Sequence, residues 1–127
     1  MKYLCIVYAG TGPDTLTQAE HIAISDATIE EDHALFAAGK LIAASPLQGP
    51  ETAVVLRPSG RTDGPYAETK EVVAGFMLID APNMEEAVAI AAPGPLEGLV
   101  TLEIRPLSEV KHSKTGQDRS AFFTRSH

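Results

Sequence analysis

The segment "RTDGPYAETKE", residues 61–71, holds the densest set of chemically capable groups in the chain: the carboxylates of Asp63, Glu68 and Glu71, the ammonium of Lys70 and the phenol of Tyr66. Asp63-Gly64-Pro65 is first of all turn chemistry. Glycine tolerates positive φ, aspartate bonds its own backbone, and proline fixes φ. In an extended run Tyr66, Glu68 and Lys70 fall on one side, alternate residues ~7 Å apart, so Glu68 and Lys70 can pair. An exposed pair contributes only ~0–1 kcal/mol, too little to account for such a loop through stability. Two readings therefore stand side by side. The segment is a structural hairpin, or its polar groups rim a cleft and present a carboxylate and an ammonium to a small ligand.

His33 is the candidate general base, because an imidazole titrates in the useful range. Its carboxylate partner would be Asp63 or Glu68. The competing reading places His33 on a helical stripe with Ile22, Ile29 and Phe36, packed and hydrogen-bonded. His21, His112 and His127 show no metal-ligand spacing, so no metal is expected. "AGTGPD" (9–14) opens like a dinucleotide fingerprint, but Thr15 stands where the third glycine belongs. No nucleophile elbow or P-loop occurs, and no cofactor is expected. The single cysteine, Cys5, excludes an intrachain disulfide and reads as an inert buried thiol.

Net charge is −7, which argues against a nucleic-acid surface. Beyond Leu107 four basic residues (Lys111, Lys114, Arg119, Arg125) outweigh Glu109 and Asp118, so residues 107–127 carry +2 and residues 1–106 carry −9. The first part reads as one domain and the second as a polar, solvated extension. No apolar run approaches the ~20 residues of a membrane helix. The N-terminal "MKYLCIVYAG" suits a first strand better than a leader, which makes the cytoplasm the expected location.

The elements that must position these groups follow in order. Residues 2–8 read as a strand. Thr15 with Gln18 and Thr28 with Glu31 read as capping boxes of one or two helices ending at Gly39. "TAVVLRP" (52–58) is the expected second strand, after a short extended piece "LIAASPL". "EVVAGFMLID" (71–80) is the third, Asn83 caps a second helix ended by Pro93, and "LVTLEIRP" (99–106) is the fourth. The order β-α-β-β-α-β implies an α+β, ferredoxin-like fold with a four-stranded antiparallel sheet.

Strands one and three are apolar on both sides. Leu4, Ile6 and Tyr8 alternate with Tyr3, Cys5 and Val7. Val72, Ala74, Phe76 and Leu78 alternate with Val73, Gly75, Met77 and Ile79. Two helices can cover one sheet face only, and a bare apolar face of hundreds of Å2 is uncomfortable in a monomer. The expected cover is a second copy under two-fold symmetry, a dimeric α+β barrel, with Phe122 and Phe123 of the extension as lesser plugs. A ligand cleft beside the sheet would be lined by Tyr8, Phe76 and Met77 and rimmed by Asp63, Tyr66, Glu68 and Lys70.

"DGPYAETKE", followed by "AGFMLID" and later "EIRPL", closely resembles the DGPF branch of the YCII-related family, with Tyr66 in place of the usual phenylalanine. The resemblance runs from Met1 to about Leu107. It implies a ferredoxin-like domain that dimerises through its sheets, and a setting linked to extracytoplasmic-function sigma factors. Other YCII-related proteins carry a His/Asp dyad that implies enzymatic activity. The matching positions in this chain are Thr28 and Gly94, so the dyad is not carried over to His33.

Overall fold

The computed structural model describes residues 1–12, 14–67 and 70–119. Glu68 and the aromatic pair Phe122 and Phe123 lie outside them. The elements in chain order are β1 (Lys2–Gly10), α1 (Gln18–Ala37), β2 (Leu41–Pro46), β3 (Val54–Arg57), β4 (Gly60–Asp63), β5 (Glu71–Asp80), α2 (Met84–Ala91) and β6 (Val100–Pro106). The main sheet has the order β2-β5-β1-β6 and is antiparallel throughout. The α+β class and the four-stranded antiparallel sheet agree with the sequence reading, as does the central placement of β1 and β5.

The second strand of that sheet is not 52–58. The chain turns out of α1 through a Schellman motif, with Gly39 at φ 75° and Lys40 N–H donating to the Leu35 carbonyl. It enters the sheet at once through Leu41, which is buried and pairs with Ile79. The β-branched run 54–57 instead folds back on 60–63 as a separate two-stranded arm. Propensity identified both segments as extended; the short connection from the helix decided which one joined the sheet.

Helix α1 is continuous over 20 residues, and its cap is Thr17. Asp14 Oδ1 accepts from Leu16 N–H and folds the residues just before the helix into a turn, which moves the start past Thr15. Thr17 Oγ1 then accepts from Glu20 N–H at 3.1 Å, and Glu20 Oε1 accepts from Thr17 N–H at 3.1 Å. Thr28 caps nothing; its hydroxyl donates to the Ile24 carbonyl inside the helix. Asn83 caps α2 as expected, accepting from Glu86 N–H.

The core lies on one face of the sheet. Tyr3, Cys5, Leu41, Ile79, Ala81, Ala87, Ile90 and Ala91 are buried, with Met77, Leu102, Ile104 and Leu35 packed against them. Helix α2 supplies the deep contacts, whereas α1 buries no residue fully. Ile24, Ala27, Thr28, Glu31, Asp32 and Leu35 form its half-buried inner side. The stripe expected to pack is the outer one: Ile22, Ile29 and Phe36 are each more than half exposed, and His33 is exposed with them. Both sides of α1 carry apolar residues, so periodicity could not tell inside from outside.

Residues 110–119 are exposed at all but one position and bond to one another. Lys111 and Asp118 form an antiparallel bridge, and His112 Nδ1 accepts from the N–H groups of Lys114 and Thr115. No helix among the described residues is long and apolar enough to cross a membrane.

Candidate functional site

Among the described residues, no helix lies over the second face of the main sheet. Ladder partners share a face, so Leu4 with Leu78 and Ile6 with Phe76 form its apolar centre. All four are half-buried by one another and by adjoining strands. Along β6 the outward set is Thr101, Glu103 and Arg105, all exposed, alternating with the half-buried Val100, Leu102 and Ile104.

A bulge reshapes one end of this face. Val7 pairs with Gly75 and Tyr8 with Val73, leaving Ala74 without a ladder partner on β1; its carbonyl accepts from Leu47 N–H at 2.8 Å. The one-residue shift moves Val73 and Glu71 onto the side of Tyr8 and Phe76, and sends Val72 to the side of Ala9. Strict alternation from the sequence had assigned Val72 and Val73 the other way round. Gly75, next to the bulge on β5, is required by close approach to β2, since a Cβ there would lie 2.9 Å from the Ser45 carbonyl oxygen.

The bulge adds Glu71 to a polar cluster that the regular β1–β6 ladder forms at the edge of the apolar centre. Tyr8 donates its hydroxyl to Glu103 Oε1 at 2.8 Å, and Thr101 Oγ1 donates to Glu71 Oε1 at 3.2 Å. The Glu103 carboxylate holds the Tyr8 proton and, together with some desolvation, lifts the phenol above its usual range; Arg105 acts weakly the other way. The arrangement presents a phenol, two carboxylates and a guanidinium beside bare aliphatic and aromatic surface, which suits a small ligand with an apolar body and a few polar atoms.

The sequence-selected residues divide. Tyr8 and Phe76 meet on the open face. Met77 sits one residue on in β5 and packs into the core on the opposite side, so it does not line the same surface. Asp63 ends the arm and takes the Arg61 guanidinium at 3.3 Å. Tyr66 is 76% exposed beneath Arg57, whose guanidinium carbon stands 4.9 Å from the ring centroid. Lys70 is exposed, and its carbonyl accepts from the Thr11 N–H and hydroxyl, tying the segment to the end of β1. His33 lies on the outer side of α1 and makes no ion pair with Asp63, while Glu68, its other candidate partner, lies outside the described residues.

Two groupings were missed. Asp14 Oδ2, ahead of α1, meets Nε2 of His21 in its first turn at 2.5 Å, and the Leu16 amide, with His21 second, holds the Asp14 carboxyl below its usual range. The seven-residue separation across a turn hid this pair. At the positions matching the His/Asp dyad, the inner side of α1 does face the turn at Gly94–Leu96. A Cβ on Gly94 would lie 2.7 Å from Glu31 Oε2, so the space beside Gly94 is taken by a carboxylate from the helix. Next to it, desolvation raises the Asp32 carboxyl above its ordinary value, against a smaller opposite pull from His33.

The YCII-related domain profile matches residues 1–111. This chain belongs to the YCII-related family. The match covers the four-stranded sheet, both helices and the arm, which makes the open face and its polar end parts of one YCII-related domain. An uncharacterized protein of Rhizobium meliloti, R00369, is 42% identical over 82 residues, 58% of this chain and 64% of that protein. The matched part thus spans less than two thirds of that relative. A solved structure of 5-chloro-2-hydroxyhydroquinone dehydrochlorinase from Burkholderia phenoliruptrix, in complex with 2,5-dihydroxybenzoquinone, superposes with a TM-score of 0.48 at 16% identity, over 87% of this chain and 96% of that one.

Proposed function

We propose that this YCII-related domain is a homodimeric binding module of the DGPF type, which pairs through its open sheet face and holds a small ligand at the polar end of that face. The observation that carries the reading is the Tyr8–Glu103 hydrogen bond at the margin of a bare apolar centre made by Leu4, Ile6, Phe76 and Leu78. A polar pair held in this way costs conformational freedom and adds little to the stability of an exposed strand; it has value as recognition. A cytoplasmic, sigma-factor-linked regulatory setting fits a ligand sensor, and the resemblance of the 63–71 string to the DGPF branch is what supports it.

Native mass spectrometry of the protein as purified tests both parts. The expected species is twice the 13.5 kDa chain mass plus a small non-covalent adduct, and Tyr8→Phe with Glu103→Gln loses the adduct while keeping the dimer. A lone chain, or a dimer that carries no adduct and binds nothing from a metabolite panel, overturns the proposal.

One observation favours a second reading, an enzyme with a His/carboxylate acid–base pair: the contact of Asp14 with His21, which leaves Nδ1 of the imidazole facing away from the carboxylate. Under that reading His21→Asn abolishes a turnover that His33→Asn leaves intact. Equal effects of the two substitutions would remove it.

A further inference from the structure

We infer that the β3–β4 arm of each copy closes over the polar end of its partner's open sheet face, so that the ligand site is completed only in the dimer. This rests on the dimer reading above. Among the described residues, the two strands of the arm pair with each other and with no other strand. On one of its faces stand Val54 and Leu56, with Arg61 opposite Leu56 in the ladder. Leu56 is 78% exposed and Val54 48%, an apolar pair that its own chain leaves in water.

The arm is rooted beside the part of the sheet it would cover. Its approach begins where Pro46 pairs with Gly75 and Leu47 donates to Ala74, and its return reaches Thr11 through Lys70. That end of the sheet carries the bulge, the 45% exposed Val73, and the Tyr8, Glu71 and Glu103 cluster. Two surfaces of complementary chemistry thus lie close together in one chain without covering each other. The arm face offers two apolar side chains with Arg61; the sheet end offers Val73 and Phe76 with two carboxylates.

Length permits the exchange. A four-residue strand spans ~13 Å, more than the ~10 Å between packed sheets, so an arm leaving one sheet reaches the facing one. Under a two-fold axis both arms do so at once. Leu56 then becomes the anchor, against Val73 and Phe76, and Arg61 approaches Glu103.

Two measurements decide it. Leu56→Cys and Val73→Cys chains are mixed and treated with a short bis-maleimide; each chain contributes one new accessible thiol, since Cys5 is buried. A covalent dimer specific to the mixture is expected. Separately, Leu56→Glu removes one anchor from each of two arms and is expected to raise the dimer dissociation constant by roughly 100-fold or more, with the far-UV spectrum unchanged. A wild-type protein that sediments as a dimer, yet gives no mixture-specific crosslink and keeps its dissociation constant on Leu56→Glu, overturns the arm exchange while sparing the dimer. A wild-type monomer overturns both.

Discussion

The two faces of the main sheet are drawn from the same strands in alternation, and yet they have opposite relations to the rest of the chain. On the covered face, Tyr3, Cys5 and Ile79 are at most 2% exposed beneath α2. Burial also lifts the Cys5 thiol above its usual range, as befits a structural cysteine. On the open face Leu4, Ile6, Phe76 and Leu78 are as apolar as their counterparts but only half-buried. What separates the faces is the cover and not the composition. An apolar strand residue states that it needs a dry neighbour without saying which molecule supplies it.

The sharpest break of this contrast comes from adjacent residues of β5. Ile79→Ala removes core volume and is expected to cost about 2–5 kcal/mol by chemical denaturation, at any protein concentration. Leu78→Ala, on the half-buried open face, is expected to cost about 1–1.5 kcal/mol in dilute protein, roughly half the transfer energy of a fully buried leucine, and more in concentrated protein, where the dimer contributes. A Leu78→Ala penalty as large as that of Ile79→Ala, and independent of concentration, would mean that both faces are covered within one chain.

Helix α1 sharpens the comparison from the covered side, since it lies there without burying any residue fully. Its stability depends on its own ends, and Thr17→Ala is expected to cost about 1 kcal/mol in thermal or urea unfolding. The same end is sensitive to acid. Asp14 and Glu20 both have carboxyls below their usual range, chiefly through the Leu16 and Thr17 amides respectively. A carboxyl lowered by folding adds stability above its unfolded value near pH 4 and loses it as pH falls through the folded value. Helix loss followed by circular dichroism is therefore expected to begin below about pH 4, and Asp14→Asn should flatten that limb.

The smallest effect is expected at the segment that first drew notice. Lys70→Ala leaves the backbone bonds of Thr11 to the Lys70 carbonyl in place and should move stability by less than about 0.5 kcal/mol. A larger loss would make the lysine side chain structural.

Sequence alone determined the fold class, the first, third and fourth strands of the sheet, the ends of β5 and the apolar character of both sides of β1 and β5, because these depend on local pattern and on the short reach of turns. The Gly39 and Asn83 caps were equally legible. Three things needed the tertiary structure. Which extended segment occupies the β2 edge depended on the connection out of α1, which propensity does not encode. Which side of α1 faces in depended on what it packs against, so Phe36 and His33 turned outward and Glu31 inward. The bulge at Ala74 reversed Val72 and Val73 and brought Glu71 to the side of Tyr8 and Glu103, while Met77 stayed in the core. A period of two fixes a face only within an unbroken ladder, and the register of a ladder is set jointly by both strands.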